Sequence, residues 1–340
     1  MFEHEQRRAD MRLGLPLPVA ARQPYVTWAI IAVNVLLFVV LTAMGSSTDT
    51  GTLLRFGAMF GPLIGDGEYW RLFTAIFLHA GIWHLALNMF GLWIFGRMVE
   101  SLFGHVRFGT IYLIAGLSGS VVSYLLNHDS IAVGASGAVF GVLGGMTAFF
   151  MSQRQLLGSM AQRNISGLLM LAGINLLMGF LLPGIDNWAH LGGLVSGVAI
   201  GRVLAPMYEL KRDILGAPIK ILVRRKPLRH LAWILLLSLG LLALGVQLGN
   251  TVQPENSLSE AFKAERAFDV GDYEVALKHV DRALELSPEE GRAYYVRALI
   301  RYELGDRIGA SVDAGSAVQF GDQETRSRAQ ELLVRLGLER

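Results

Sequence analysis

Four polar side chains stand out because apolar sequence surrounds them: Ser136, His190, His84 and Asn88. Ser and His are the nucleophile and the base of acyl transfer, in which the imidazole takes the hydroxyl proton and later returns it to the leaving amine. His84 and Asn88 are four residues apart, a spacing that puts both on one helix face. With the backbone N–H of Ser136 they would supply the preorganised donors that a tetrahedral oxyanion needs. Each residue also has a plainer use. Serines among small residues pack helices together, and a His or Asn inside an apolar span commonly hydrogen-bonds a neighbouring helix.

Whether the four can meet depends on the elements that carry them. The chain has 340 residues, 52% of them hydrophobic and 17% charged, with a mean hydropathy of +0.43. Average soluble chains carry about 25% charge, so lipid must solvate part of this one, and neither intrinsic disorder nor a nucleic-acid-binding arm fits. The absence of Cys excludes thiol chemistry and disulfides. Charge divides the chain: residues 1–250 are net +7 and residues 251–340 net −5, as expected of a membrane domain followed by a water-soluble one.

Seven apolar windows of spanning length lie near 28–45, 82–98, 108–127, 134–152, 165–182, 187–205 and 231–249. Residues 1–27 are polar and Arg-bearing, which reads as a cytoplasmic segment rather than a cleavable signal. With the N-terminus inside, 16 of the 18 Lys and Arg before residue 251 fall on the inner side. The run Lys220, Arg224, Arg225, Lys226 and Arg229 in the basic linker 206–230 orients the seventh span the same way, so residues 251–340 emerge outside. The loop 46–81 mixes Leu, Phe and Trp with Gly, and an amphipathic or partly inserted structure on the outer face is expected.

In this topology the second, fourth and sixth spans all run from outside to inside. His84 and Asn88, Ser136, and His190 then share roughly the outer third of the bilayer, at about 1.5 Å of rise per residue. Helix N-termini lie at that end, where free N–H groups favour a developing negative charge. Gly137, Gly141 and Gly145 on the fourth span and Gly193, Gly197 and Gly201 on the sixth form two small-residue ridges that let backbones approach. Asp186 precedes His190 by four residues at the membrane rim, which favours a Ser–His dyad over a triad.

These residues resemble the rhomboid family of intramembrane serine proteases. Gly134-Ala135-Ser136-Gly137 is similar to its GxSG motif, Ala189-His190 with Gly193 and Gly197 to its AHxxGxxxG helix, and His84 to Asn88 to its HxxxN motif. Trp70-Arg71 matches the family's WR pair, and His79 falls in its histidine-containing stretch. The resemblance covers roughly 25–250 and implies an all-α membrane fold of six core helices (28–205) with a seventh, 231–249, as an addition. It implies Ser136 as nucleophile, His190 as base, Asn88 and His84 as oxyanion or water-retaining groups, and Phe140, where many members have Tyr, as the ring stacked on the catalytic histidine. Substrates would be transmembrane proteins, cut near the outer face, with no cofactor.

Residues 256–325 repeat with a period of 34: Gly271-Asp272 recurs as Gly305-Asp306, and Ala264, Ala276 and Ala283 as Ala298, Ala310 and Ala317. The period resembles tetratricopeptide repeats and implies a small soluble helical repeat domain over 256–337 with a protein or peptide partner. Trp70 and Arg71 are expected as an interfacial anchor, Trp at headgroup depth and Arg reaching phosphate. Metal ligation by His79 and His84 is rejected, since i, i+5 is poor helical geometry and no acidic partner lies near. Asn34 and Asn175 have no motif around them and read as structural. A catalytically silent scaffold is the competing reading, disfavoured by the presence of both Ser136 and His190. A transporter is disfavoured because the polar groups lie shallow and no carboxylate is buried with them. A bacterial plasma membrane is the expected location, for want of a Ser-rich, acid-poor transit segment.

Overall fold

A helix is the one way for a single apolar stretch to satisfy its own backbone inside hydrocarbon, because every N–H and C=O then bonds within the segment. The computed structural model describes residues 23–128, 130–182, 184–212, 218–225, 227, 229–252 and 256–337, and its apolar stretches are helical. Most of the expected segment 1–27 lies outside the described residues. The chain divides into two compact units, Met1–Thr48 with Thr52–Val252, and Gln253–Arg340 with Asp49–Gly51.

The first unit runs α1 (Tyr25–Met44), α2 (Thr50–Arg55), α3 (Gly61–Gly65), α4 (Arg71–Thr74, continued by a 3-10 turn Ala75–Phe77), α5 (Ile82–Phe103), α6 (His105–Leu126), α7 (Ser136–Ser152), α8 (Arg154–Leu157), α9 (Ser159–Leu181) and α10 (Asn187–Leu204). After α10 come β1 (Met207–Arg212), β2 (Pro218–Arg224) and α11 (Arg229–Val252). Helices α1, α5, α6, α9 and α11 are long and apolar enough to cross a membrane, and the protein is an integral membrane protein. The two remaining apolar helices, α7 and α10, are the shorter or more glycine-rich ones, at 17 and 18 residues. They are also the two that carry Ser136 and His190.

Helices α7 and α10 meet backbone to backbone. A Cβ built on Gly193 would overlap the Gly137 carbonyl, one on Gly197 the Gly141 carbonyl, and one on Gly201 would lie 2.7 Å from Gly145 Cα. On its other side α7 packs against α6, where Gly141 lies on Ala115 and Gly145 on Ile111. A fully buried carboxylate holds α1 in place: Glu100 of α5 accepts the Val26 and Thr27 N–H groups at 2.9 and 2.8 Å and the Thr27 hydroxyl at 2.6 Å. Those are orphan donors of the first turn of α1, capped from another helix.

Four features depart from the sequence reading. The linker 206–230 is not merely basic: within a mostly helical fold, β1 and β2 pair antiparallel with Tyr208 opposite Val223 and Leu210 opposite Ile221. Alternation of apolar and polar residues in Tyr208–Lys211 turns Tyr208 inward, edge-on to Phe149 at 5.8 Å, which is the half-buried strand signal. The expected loop near 97–107 shrinks to Gly104 alone, since its φ of +87° breaks the path between α5 and α6 at a single residue. Within α5, residues Leu92–Gly96 form a π turn. Finally, Arg71 does not reach outward to lipid phosphate: it is buried, donating to Glu68 at 2.6 Å and to the Leu54 and Ala58 carbonyls at 2.7 and 3.0 Å. The segment 46–81 bends at Gly57 and Gly67, both at positive φ, and the Arg71 guanidinium ties it together through two of its carbonyls and Glu68. Trp70 stays half-exposed, its ring 4.6 Å from the Arg71 guanidinium.

The second unit is α12 (Ser257–Asp269), α13 (Tyr273–Leu286), α14 (Gly291–Glu303), α15 (Arg307–Phe320) and α16 (Gln323–Arg335). Asp272 caps α13 and Asp306 caps α15, at the 34-residue interval, each after a glycine of positive φ. The six alanines that recur at that interval are fully buried. Arg292 is buried, paired with Glu265 at 2.8 Å and with its guanidinium over the Phe262 ring.

The α7–α10 contact predicts a sharp asymmetry between glycines. Gly197→Ala should lower stability in thermal unfolding by about 1–3 kcal/mol, the range for overpacking. Gly173→Ala on α9, where no atom lies within 4 Å, should be neutral or slightly stabilising.

Candidate active site

Ser136 opens α7 directly after a stretch of extended backbone held on both sides. Met59 and Ala132 exchange two hydrogen bonds at 3.0 and 2.9 Å, and the Gly134 N–H donates to the Ala75 carbonyl at 2.9 Å. Gly134 has φ +128°, and a Cβ there would lie 2.7 Å from His84 Nε2 and 3.8 Å from Ser136 Oγ, so this position requires glycine on both counts. The chain then turns into the helix through Ala135, with no side chain capping the first turn. The first N–H groups of α7 are consequently free to bind negative charge at the level of Ser136. Seventeen residues rise only about 25 Å, less than the roughly 30 Å hydrocarbon core. A helix this short starts or ends inside the bilayer.

His190 lies in the first turn of α10. Its ring is face to face with Phe140, centroids 4.3 Å apart and planes 7° from parallel. Phe140 is one turn along α7 from Ser136, and the Ala189 carbonyl touches Gly137, so the imidazole stands beside the serine's helical turn. Ser136 is half-buried, whereas His190 is 7% exposed. Its Nδ1 is buried and has no hydrogen-bond partner among the described residues. Asp186 is engaged elsewhere: one carboxylate oxygen caps Ala189 N–H at 3.0 Å and the other takes the Ser123 hydroxyl.

The face of α5 supplies the rest. His84 is half-buried beside Gly134, and Asn88 is buried, its Nδ2 donating one N–H to the His84 carbonyl at 2.9 Å. An amide nitrogen carries two hydrogens, so a second donor remains. The structure thus gathers Ser136, His190, His84, Gly134 and Phe140 at one end of α5, α7 and α10, with Asn88 one turn further along α5. Trp70 and Arg71 are not part of that group, and the six ridge glycines serve it only through packing.

Sequence reasoning gave His79 no part in the site. It is fully enclosed, with its ring edge-on to His84 at 5.1 Å and Nε2 accepting the Ala135 N–H at 3.4 Å. A histidine five residues before the HxxxN helix was the available signal. Among the described residues no three His, Asp or Glu side chains are grouped to hold a metal ion. The arrangement can activate a hydroxyl, accept its proton and stabilise an oxyanion.

A family profile described as the rhomboid domain matches residues 66–207, an interval that contains every residue of this site. The chain is 33% identical over 311 residues to rhomboid protease GluP of Bacillus subtilis, covering 83% of this chain and 58% of the relative. It is 44% identical over 157 residues to RHOMBOID-like protein 6, mitochondrial, of Arabidopsis thaliana (46% and 50% of the two chains). RHOMBOID-like protein 2 of the same plant is 42% identical over 157 residues (46% and 49%). The chain spans about half the length of the curated relatives it matches.

The stacked pair makes a specific demand on Phe140. Phe140→Tyr, which keeps the ring face, should leave Ser136 labelling by a fluorophosphonate unchanged. Phe140→Ala removes an aromatic contact worth about 0.5–1.5 kcal/mol and should slow labelling by about twofold to tenfold.

Proposed function

We propose that this chain, whose residues 66–207 match the rhomboid domain profile, is a rhomboid family intramembrane serine endopeptidase cutting transmembrane segments of other membrane proteins near the outer face. Ser136 Oγ attacks the scissile carbonyl while His190 takes its proton. The oxyanion is received by the Ser136 N–H, Asn88 and His84. His190 then protonates the leaving amine, and a water, deprotonated by the same imidazole, releases the acyl group and restores the serine. The observation that carries this reading is the Phe140–His190 stack one turn from Ser136, because it holds the imidazole in one orientation without an acidic partner. The engagement of Asp186 with Ala189 and Ser123 supports a dyad.

In this reading residues 28–205 are the protease core with the loop 46–81 on the outer side, 206–230 faces the cytoplasm, and 231–249 carries the chain outward. The distribution of Lys and Arg supports it. The repeats over 256–337 are tetratricopeptide-like and bind a protein or peptide, and the membrane is a bacterial plasma membrane.

Fluorophosphonate labelling in liposomes tests the chemistry. Wild type should label, and Ser136→Ala and His190→Ala should each abolish labelling. A folded, accessible wild type that does not label would favour the silent scaffold.

Substrate form gives an independent test. A helix hides its carbonyls in hydrogen bonds, so the segment must unwind before attack, and Gly or another weak helix former near the cut makes this easier. Replacing such residues by Leu in a substrate should slow cleavage severalfold, and an unchanged rate would count against this mechanism.

A further inference from the structure

Asn250 lies in the last turn of α11 and uses both ends of its amide. Oδ1 accepts the Tyr124 hydroxyl of α6 at 2.6 Å, and Nδ2 donates to the Tyr69 hydroxyl at 3.0 Å. Beside it, Gly249 has the Tyr124 ring packed where a Cβ would be, and a Cβ built on Gly245, one turn earlier, would lie 2.5 Å from Val121 Cγ1. Leu242 and Val246 extend this face into an apolar cluster with Met59, Leu72, Ala75 and Ala132. Helix α11 is therefore seated on α6 and on the outer segment, not merely appended to the core.

The outer segment in turn holds the backbone that leads to the nucleophile. Met59 is paired with Ala132, and the Ala75 carbonyl receives the Gly134 N–H, two residues before Ser136. Tyr69 adjoins Trp70 and Arg71, and the Arg71 guanidinium fastens the same segment through the Leu54 and Ala58 carbonyls. A continuous series of contacts thus runs from Asn250 through Tyr69 and the outer segment to residues 132–134. The next residue after α11, Gln253, opens the second unit, so the pin stands where the two units join in the chain.

We propose that Asn250 is a positioning residue: by tying the end of α11 to Tyr69 and Tyr124 it sets the outer segment, and through it the Gly134–Ser136 backbone, for acylation of the serine. The inference rests on the serine chemistry proposed above. It assigns the helix outside the rhomboid domain a part in the reaction rate, although no atom of Asn250 takes part in the reaction.

The test is the kinetics of fluorophosphonate labelling of the full-length protein in liposomes, separating the maximal rate constant, the probe affinity and the final labelled fraction. Asn250→Ala and Tyr69→Phe should each lower the maximal rate constant about threefold to tenfold, the size expected for one lost hydrogen bond in a network. The labelled fraction should still reach the wild-type end point. The double variant should be no slower than the slower single one, since both remove the same link. Tyr69→Phe loses only a hydroxyl from a half-exposed ring, which keeps the test valid should Asn250→Ala fold poorly. An unchanged rate constant, a loss confined to the labelled fraction or to probe affinity, or additive effects in the double variant would each overturn the proposal. An unlabelled wild type overturns the serine chemistry and this inference together, and is told apart by occurring before any substitution is made.

Discussion

The rest of the structure depends on the absence of side chains between α7 and α10. Lipid tails are as apolar as leucine, so helices in a bilayer gain little from hydrophobic burial and must associate through close packing. Three glycines on each helix let one backbone rest against the other, Gly137 with Gly193, Gly141 with Gly197 and Gly145 with Gly201. Any larger residue would push the helices apart, and with them Ser136 and His190, which sit at one end of the same ridge. The relative position of the two side chains is thus set by packing along the whole contact.

The second requirement is that polar chemistry survive in an apolar setting, and the outer segment answers it. A short α7 leaves Ser136 at the level of free helix N–H groups rather than at a capped, satisfied terminus. Residues 57–77 then cover that end, with a buried Arg71 donating to the Leu54 and Ala58 carbonyls. The cover is hydrogen-bonded to the strand before the serine, and His79 accepts the Ala135 N–H from beneath. Scaffold and site are one network here, and that is why residues remote from the serine bear on its position.

Much of this was legible in the chain. Apolar windows mark where helices run, because the length needed to cross hydrocarbon is a property of composition alone. The spacing His84–Asn88 and the glycine ridges identify faces, because helical periodicity is local. An Arg next to a Trp in an outer loop looks interfacial, but Arg71 is buried because the carbonyls of Leu54 and Ala58 turn towards it. The β1–β2 ribbon is hidden in the sequence because four alternating residues in a basic linker look the same whether or not a second strand pairs with them. The π turn at Leu92–Gly96 and the single-residue break at Gly104 depend on how α5 packs against its neighbours.

By itself the sequence determined that this is a membrane chain followed by a charged helical segment, and which residues are able to do chemistry. Those follow from composition, from periodicity and from side-chain type, all of which act locally. Only the tertiary structure decided that Phe140 lies flat on His190, that Asp186 is occupied by Ser123 and Ala189, and that α11 is fastened to the outer segment through Asn250. Each joins residues far apart in the chain, except the Asp186–Ala189 cap, which spans three residues. Contacts of that kind depend on which helices lie side by side, and no local pattern carries that information.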